Sequence, residues 1–281
     1  MKNLNHVPGN SFDAFEGAVN RKYNGQDKNL LIAAFPQIRQ KFDVYDENFA
    51  NNNLEALHQD GFHVPINAQL KSLYDFGNAA IRSFRTVFES LQSKTVRYTC
   101  QYCSMESTEA IDHYVSQAEF PEYVIHPKNL IPSCSRCNGY KGQRWRVDGT
   151  RNFINLYLDI LPEEPYLFLN VFADQDNAID FSFELDNLID IDDAKWSLIS
   201  NHFKDLHLRE RMRRKAIAEF TEFRNRVRMQ MENGGSREEV TEVTLQTCNA
   251  NRIAYGANYW RAVLEEGLVR SDLFWDTIFV E

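Results

Sequence analysis

Apolar residues recur at helical spacing between positions 67 and 92, where Leu70, Leu73, Phe76, Ala80, Phe84, Val87, Phe88 and Leu91 fall on one face. That period predicts an amphipathic helix whose stripe packs into a core, or alternatively covers a helical partner or dimer seam. Upstream, residues 1–65 hold shorter helical patterns, FDAFEGAVNR and KNLLIAAFPQIRQKF, joined by Asn-, Gly- and Asp-rich turns. Downstream, YLFLNVFAD and AIDFSFELD alternate in β fashion about a DQDN turn and predict a small hairpin. Helical periodicity returns over residues 193–231, through Trp196, Ile199, Phe203 and Leu206 and then Ile217, Phe220, Phe223 and Val227. Asn233-Gly234-Gly235 ends that long helix, Ser236-x-x-Glu239 is a capping box for the next, and a last helix near 250–266 stops at Gly267. No internal repeat is visible.

Between these patterns lies a stretch with neither period. Residues 100–141 read CQYCSMESTEAIDHYVSQAEFPEYVIHPKNLIPSCSRCNGYK. Cys100/Cys103 and Cys134/Cys137 form two Cys-x-x-Cys pairs that bracket Asp112-His113, and Asn138 follows the last cysteine. Paired thiolates suit tetrahedral zinc, each pair wrapping one side of the ion. A segment this short buries little core, and structural zinc supplies the missing stability. Because four thiolates leave no open coordination position, the zinc is expected to be structural. The local expectation is a zinc knuckle at TCQYC, a strand at TEAIDHYV, a loop, and a helix from about Ser135, with Pro127 and Pro132 barring a helix before it.

The insert between the pairs carries the chemistry. His113, with an ordinary pKa near 6.5, accepts a proton from water close to neutral pH. Asp112 offers a hard oxygen and the Asn138 carbonyl a second, as Mg²⁺ prefers, leaving positions for water and phosphate oxygens. The basic run Lys141, Arg144, Arg146 and Arg151 is where a phosphate backbone is expected to lie.

Composition sharpens this in a few places. With 281 residues, 43% hydrophobic and 13% aromatic, the chain can bury a sizeable core, which argues against global disorder. The first residues lack an apolar signal region, and no run approaches the roughly 20 apolar residues of a membrane span, so a soluble cytoplasmic protein without membrane contact is expected. The net charge of −9 argues against bulk coating of nucleic acid, yet residues 94–151 carry +2 and the remainder −11. Residues 152–194 hold eleven Asp/Glu and not one Lys or Arg, which reads as a solvated face, or as a surface that docks a basic partner or masks the site. DNLIDIDDAKWS lacks the glycine and glutamate of an EF-hand loop. RERMRRKA, at 209–216, reads as a solvated helix face or a phosphate-contacting surface. Cys248 reads as a small core residue, His126 as a loop residue, and His58, His63, His202 and His207 as ordinary polar residues.

The joint pattern C-x2-C, D-H, N-L-x-P, C-x2-C-N-x2-K resembles the zinc-stapled HNH (ββα-metal) endonuclease family, over about 45 of the 281 residues. The resemblance implies His113 as general base, Asp112 as metal-binding acid and Asn129 as the residue that tethers the loop orienting the histidine. It implies Asn138 as metal ligand at a position where many members carry histidine, and Lys141 as a basic residue near the phosphate. The loop YVSQAEFPEYVIHP departs from the family in lacking a Gly-rich turn. A weaker resemblance, to HNH nucleases of bacterial anti-phage systems of the Septu or retron type, implies an ATPase partner.

The expected fold is α+β, mainly α-helical: a helical region at 1–94, a zinc-stapled ββα-metal HNH core at 95–151, and a mainly helical region with an acidic hairpin at 152–281. The expected function is Mg²⁺- or Mn²⁺-dependent endonucleolytic hydrolysis of DNA. The alternative is a non-catalytic zinc module binding nucleic acid or a partner protein.

Overall fold

The computed structural model describes residues 1–59, 66–74 and 79–279. It is α+β, with helices predominating and three antiparallel sheets of two strands each among the described residues. Two compact units emerge: one of residues 3–102 and 106–160, the other of residues 1–2, 103–105 and 161–281. No described helix is long and apolar enough to cross a membrane.

The first unit begins with α1 (Ser11–Asn20), α2 (Gln26–Ala33) and α3 (Phe35–Ala50). Asn10 caps α1 by accepting from the Phe12 amide, and Pro36 lies in the first turn of α3, where its missing N–H is no loss. That proline makes two helices of the KNLLIAAFPQIRQKF pattern. Phe12, Phe15, Phe35 and Phe42 interlock with ring centroids 5.5 to 5.8 Å apart, and each such pair contributes about 0.5–1.5 kcal/mol beyond its burial.

The single helix expected over 67–92 is not what forms. α4 (Asn67–Lys71) stops early and α5 (Ala79–Leu91) carries the rest of the stripe on Ile81, Phe84 and Phe88, with Val87 turned to solvent. Phe76, and likewise His63, lie outside the described residues. Then come β1 (Ala110–His113) and β2 (Leu130–Ser133), paired antiparallel with Asp112 opposite Ile131 and His113 opposite Leu130, followed directly by α6 (Ser135–Lys141). Among the described residues β2 has a partner on one side only, which admits Pro132. A two-residue ladder, β3 (Arg146–Val147) with β4 (Thr150–Arg151), closes on Asp148 and Gly149, both with positive φ. This Asp-Gly hairpin signal stands in the sequence.

In the second unit β5 (Leu167–Ala173) and β6 (Ile179–Leu185) form the hairpin anticipated from the alternation, in register Leu167↔Leu185 to Ala173↔Ile179. Its turn is held by the Asp174 carboxylate, which accepts from the Asp176 and Ala178 amides. The helices are α7 (Asp193–Asp205), α8 (Leu208–Glu232), α9 (Arg237–Tyr255), α10 (Trp260–Val269) and α11 (Asp272–Asp276).

Two expectations fail here. Residues 193–231 are not one helix: His207 adopts a left-handed φ of +53°, and the Arg211 guanidinium caps the freed Leu206 carbonyl at 3.1 Å. No Gly or Pro marks that break. Gly267 does not end a helix either. It lies inside α10, where a Cβ would meet Leu169 of β5 at 2.5 Å, so the glycine serves close packing of hairpin on helix. The true interruption is Gly256, with φ +103° and a Cβ position 2.0 Å from the Met1 carbonyl oxygen. The Ser236–Glu239 capping box forms as expected.

Candidate metal centre and adjoining polar site

The four cysteines converge. All four are buried, and their Sγ atoms lie within 4.8 Å of one another. The first pair sits on a tight knuckle, where the Cys100 amide donates to the Glu106 carbonyl at 2.8 Å and Ser104 takes φ +55°. The second pair opens α6: Cys134 is its N-cap, with Sγ accepting from the Cys137 amide at 3.3 Å. Tetrahedral zinc with Zn–S bonds of about 2.3 Å needs sulfurs this close, so the cluster meets the requirements of such a site. Cys248 lies apart, fully buried, and burial pushes its thiol up to about 12, as befits a core residue.

Asp112 and His113 end β1, and Asn138 sits half-buried on α6. All three line one cavity of about 290 Å³, with Tyr74, Ser116, Gln117 and Gln143 among its other walls. His113 is 8% exposed, and its Nε2 lies 2.8 Å from the Val124 carbonyl oxygen. A carbonyl only accepts, so Nε2 donates, which assigns the lone pair of the neutral ring to Nδ1. Burial pulls its pKa down to about 4, against the raising influence of that hydrogen bond and of Asp112. The ring is therefore neutral near pH 7. Tyr74 packs edge-on against it, centroids 4.5 Å apart, and donates to the Ile111 carbonyl at 3.2 Å.

Asn129 holds the loop between the strands. Its Oδ1 accepts from the Val115 amide at 2.7 Å and the Tyr45 hydroxyl at 3.2 Å, while Nδ2 donates to the Val115 and Tyr123 carbonyls at 3.1 Å each. Both donors and both acceptor lone pairs are thus used, and none remains for a ligand. Helix α3 backs this loop: Lys128 pairs with Asp46 at 2.7 Å, and the His126 ring packs at a tilt against Tyr45 and Phe42, centroids 4.1 and 4.5 Å away. His126 is fully buried, with Nε2 3.6 Å from the Asp46 carboxylate, and burial pulls its pKa down to about 3 against the raising influence of Asp46 and the Phe42 backbone.

The basic residues depart from expectation. Lys141 is fully buried, with Nζ 3.1 Å from the Asp112 carboxylate and 2.8 Å from the His113 carbonyl oxygen, so it presents nothing to a phosphate backbone. Burial lowers its pKa, opposed by Asp112. Arg146 donates to the carbonyls of Glu55 and Leu57 at 2.9 and 2.8 Å and pairs with Glu119. Arg151 grips Asp159 through two 3.0 Å bonds and reaches Glu55 at 3.1 Å. Arg144 alone of the four is exposed, donating to the Tyr140 carbonyl at 2.7 Å.

The basic cluster at 209–216 is likewise engaged internally. Arg209 pairs with Glu184, Arg213 with Asp180 and Arg214 with Glu210. Two acids of the acidic stretch are thus partners of α8.

Two site residues escaped the sequence reading. Tyr74 comes from a remote segment and carries no local signal. Tyr102, inside the first Cys-x-x-Cys, donates its hydroxyl to Asp112 Oδ2 at 2.9 Å. Its place between two metal-type ligands was the available clue.

One carboxylate and one amide oxygen beside a polar cavity fit a hard cation that keeps most of its waters.

Comparison with known proteins gives partial matches. The chain is 29% identical to protein ea31 of Escherichia phage lambda over 187 residues, 62% of this chain and 62% of ea31. It is 38% identical to Septu protein PtuB of Bacillus thuringiensis over 48 residues, 15% of this chain and 19% of PtuB. The chain thus matches less than two thirds of either relative's length. No family model matches, and neither does any solved structure.

Proposed function

We propose that this protein is a metal-dependent HNH-type endonuclease that hydrolyses phosphodiester bonds, with DNA as its substrate. The observation that carries the reading is the convergence of Asp112, His113 and Asn138 on one cavity, with the His113 ring neutral and its Nε2 committed to the Val124 carbonyl. In that state Nδ1 accepts a proton from water as the water oxygen bonds to phosphorus and the ester P–O bond breaks. Asp112 and Asn138 would hold Mg²⁺ or Mn²⁺, which when bound supplies charge stabilisation at the phosphate and leaving oxygen. Asn129 keeps the loop that carries Val124 in place, acting through backbone hydrogen bonds. Zinc on Cys100, Cys103, Cys134 and Cys137 is structural, because every thiolate is consumed. Arg144, exposed beside the site, is the backbone-contacting residue of the basic run.

The partial similarity to a Septu protein supports a role in anti-phage defence, and an ATPase partner belongs to this proposal.

The test incubates the purified protein, and any co-purifying partner, with plasmid DNA and Mg²⁺ or Mn²⁺. Nicking by the wild type and its loss in His113→Ala and Asn138→Ala, at unchanged zinc content and folding, support the reading. Equal nicking by wild type and His113→Ala sinks it.

A second reading, a non-catalytic zinc module, draws on one observation: Asp112 is already neutralised internally by Lys141 and hydrogen-bonded by Tyr102. DNA or protein binding that needs the cysteines, without nicking under any divalent cation or activation condition, favours it.

A further inference from the structure

Asp112 is held by two donors that are themselves buried, Tyr102 and Lys141. Tyr102 is 1% exposed and lies between Cys100 and Cys103, so its backbone is fixed wherever those two thiols are fixed. Its hydroxyl donates to Asp112 Oδ2 at 2.9 Å. Lys141, in the last turn of α6, places Nζ 3.1 Å from both carboxylate oxygens and 2.8 Å from the His113 carbonyl oxygen. That helix is capped by Cys134 and carries Cys137. Both arms of the clamp are therefore built on segments that carry the cysteine cluster. An aspartate side chain has two free torsions, and a cation ligand needs its lone pair aimed; partners one shell out do that aiming.

We infer that Tyr102 is a positioning residue through which the four-cysteine cluster orients the Asp112 carboxylate toward the cavity, with Lys141 as the second arm of the clamp. This rests on the endonuclease reading of the site. The hydroxyl, not the ring, carries the effect. Phenylalanine fills nearly the same volume beside the cluster, so Tyr102→Phe removes the hydrogen bond and leaves the packing. Coupling between the two sites is reciprocal: whatever the cluster does to Asp112, a cation on Asp112 does to the cluster.

Two measurements test this on the full chain with its cysteine cluster loaded. In the first, free Mn²⁺ is followed by electron paramagnetic resonance during titration of wild type and Tyr102→Phe, alongside zinc content and nicking at increasing Mn²⁺. The expected result is unchanged zinc and a Mn²⁺ dissociation constant raised roughly 10–100-fold, with nicking recovered at high Mn²⁺. Equal Mn²⁺ affinity in the two proteins overturns the inference while leaving the endonuclease reading intact. A wild type that neither binds Mn²⁺ nor nicks removes that reading and the inference with it.

The second measurement needs no substitution and covers the case in which Tyr102→Phe does not fold. Co²⁺ replaces zinc in the wild-type cluster, and its visible d–d absorption is recorded as Mg²⁺ is added. A band shift that saturates with the Mg²⁺ dependence of nicking supports the inference. A spectrum unmoved by Mg²⁺ concentrations that sustain nicking overturns it.

Discussion

The cysteine cluster and the Asp112–His113–Asn138 cavity occupy the same short stretch of chain and obey opposite rules. The cluster is dry and closed, four like ligands drawn from two knuckles with every sulfur turned inward. The cavity is polar and open, bordered by unlike groups from β1, from α6 and from the segment carrying Tyr74. In the first, four buried thiols are gathered closely enough for a tetrahedral zinc ion. In the second, burial keeps one imidazole neutral and Tyr102 and Lys141 hold one carboxylate. The difference teaches that a Cys-x-x-Cys frame marks where a small insert is held, while the polar groups of that insert are set by their own neighbours.

The largest effect that would break this contrast is loss of the cluster. Replacing Cys100 and Cys137 with serine is expected to abolish tightly bound zinc and cooperative unfolding of the segment, because structural zinc contributes apparent binding energies of about 10–16 kcal/mol in small peptides. Elemental analysis and thermal melts by circular dichroism check it; retained zinc would remove the structural-site claim.

Next comes His113→Ala, where nicking should fall about 10²–10⁴-fold with zinc retained. A matching fall in zinc would merge the two sites into one.

Lys141→Met then probes the clamp. Removing one partner of a buried ion pair leaves Asp112 uncompensated and is expected to cost about 3–5 kcal/mol in urea unfolding. A near-neutral change would mean that Lys141 faces solvent in solution, as its sequence position first suggested.

A smaller effect concerns pH. Burial holds His126 at about 3, below its ordinary 6.5. Between those values the unfolded chain binds a proton that the folded chain refuses, so stability declines as pH falls from about 6.5, by about 1.4 kcal/mol per pH unit for this group. His126→Phe should flatten the decline by that slope, measured as urea midpoints from about pH 7 to about pH 5. An unaltered slope would show that His126 is charged in the folded state, paired with Asp46 at 3.6 Å.

The smallest effect is Arg144→Ala. Loss of one phosphate contact should weaken DNA binding several-fold across sequences and lower its salt slope by about one ion. No change would leave the substrate backbone without a contact in the basic run.

Much of the site was legible from residue order because its parts are local. The spacing of Cys100, Cys103, Cys134 and Cys137 anticipates the buried four-sulfur cluster that forms once the chain turns back. The strand at Asp112-His113 and the helix from Ser135 form where the local sequence put them, with Pro127 and Pro132 barring an earlier helix. Those signals act within a few residues of themselves. The charged side chains were misread for the converse reason: Lys141, Arg146 and Arg151 look alike in a string of letters, and their fates depend on remote carboxylates and carbonyls. Lys141 found Asp112, Arg146 found Glu55, Leu57 and Glu119, and Arg151 found Asp159 and Glu55.

What residue order determined by itself was therefore the cysteine cluster and the local elements: the paired cysteines, the Asp-His step at a strand end, the β5–β6 hairpin, the capping box at Ser236. Tertiary structure alone decided where the chain interrupts a helix without Gly or Pro, as at His207, and why Gly267 lies within one, against Leu169. It also decided which basic groups are buried and which hydroxyl steadies Asp112. Ligand spacing and backbone propensity are properties of neighbours in sequence, whereas burial and ion pairing are properties of neighbours in space. A single residue string does not carry those contacts until the chain has closed on itself.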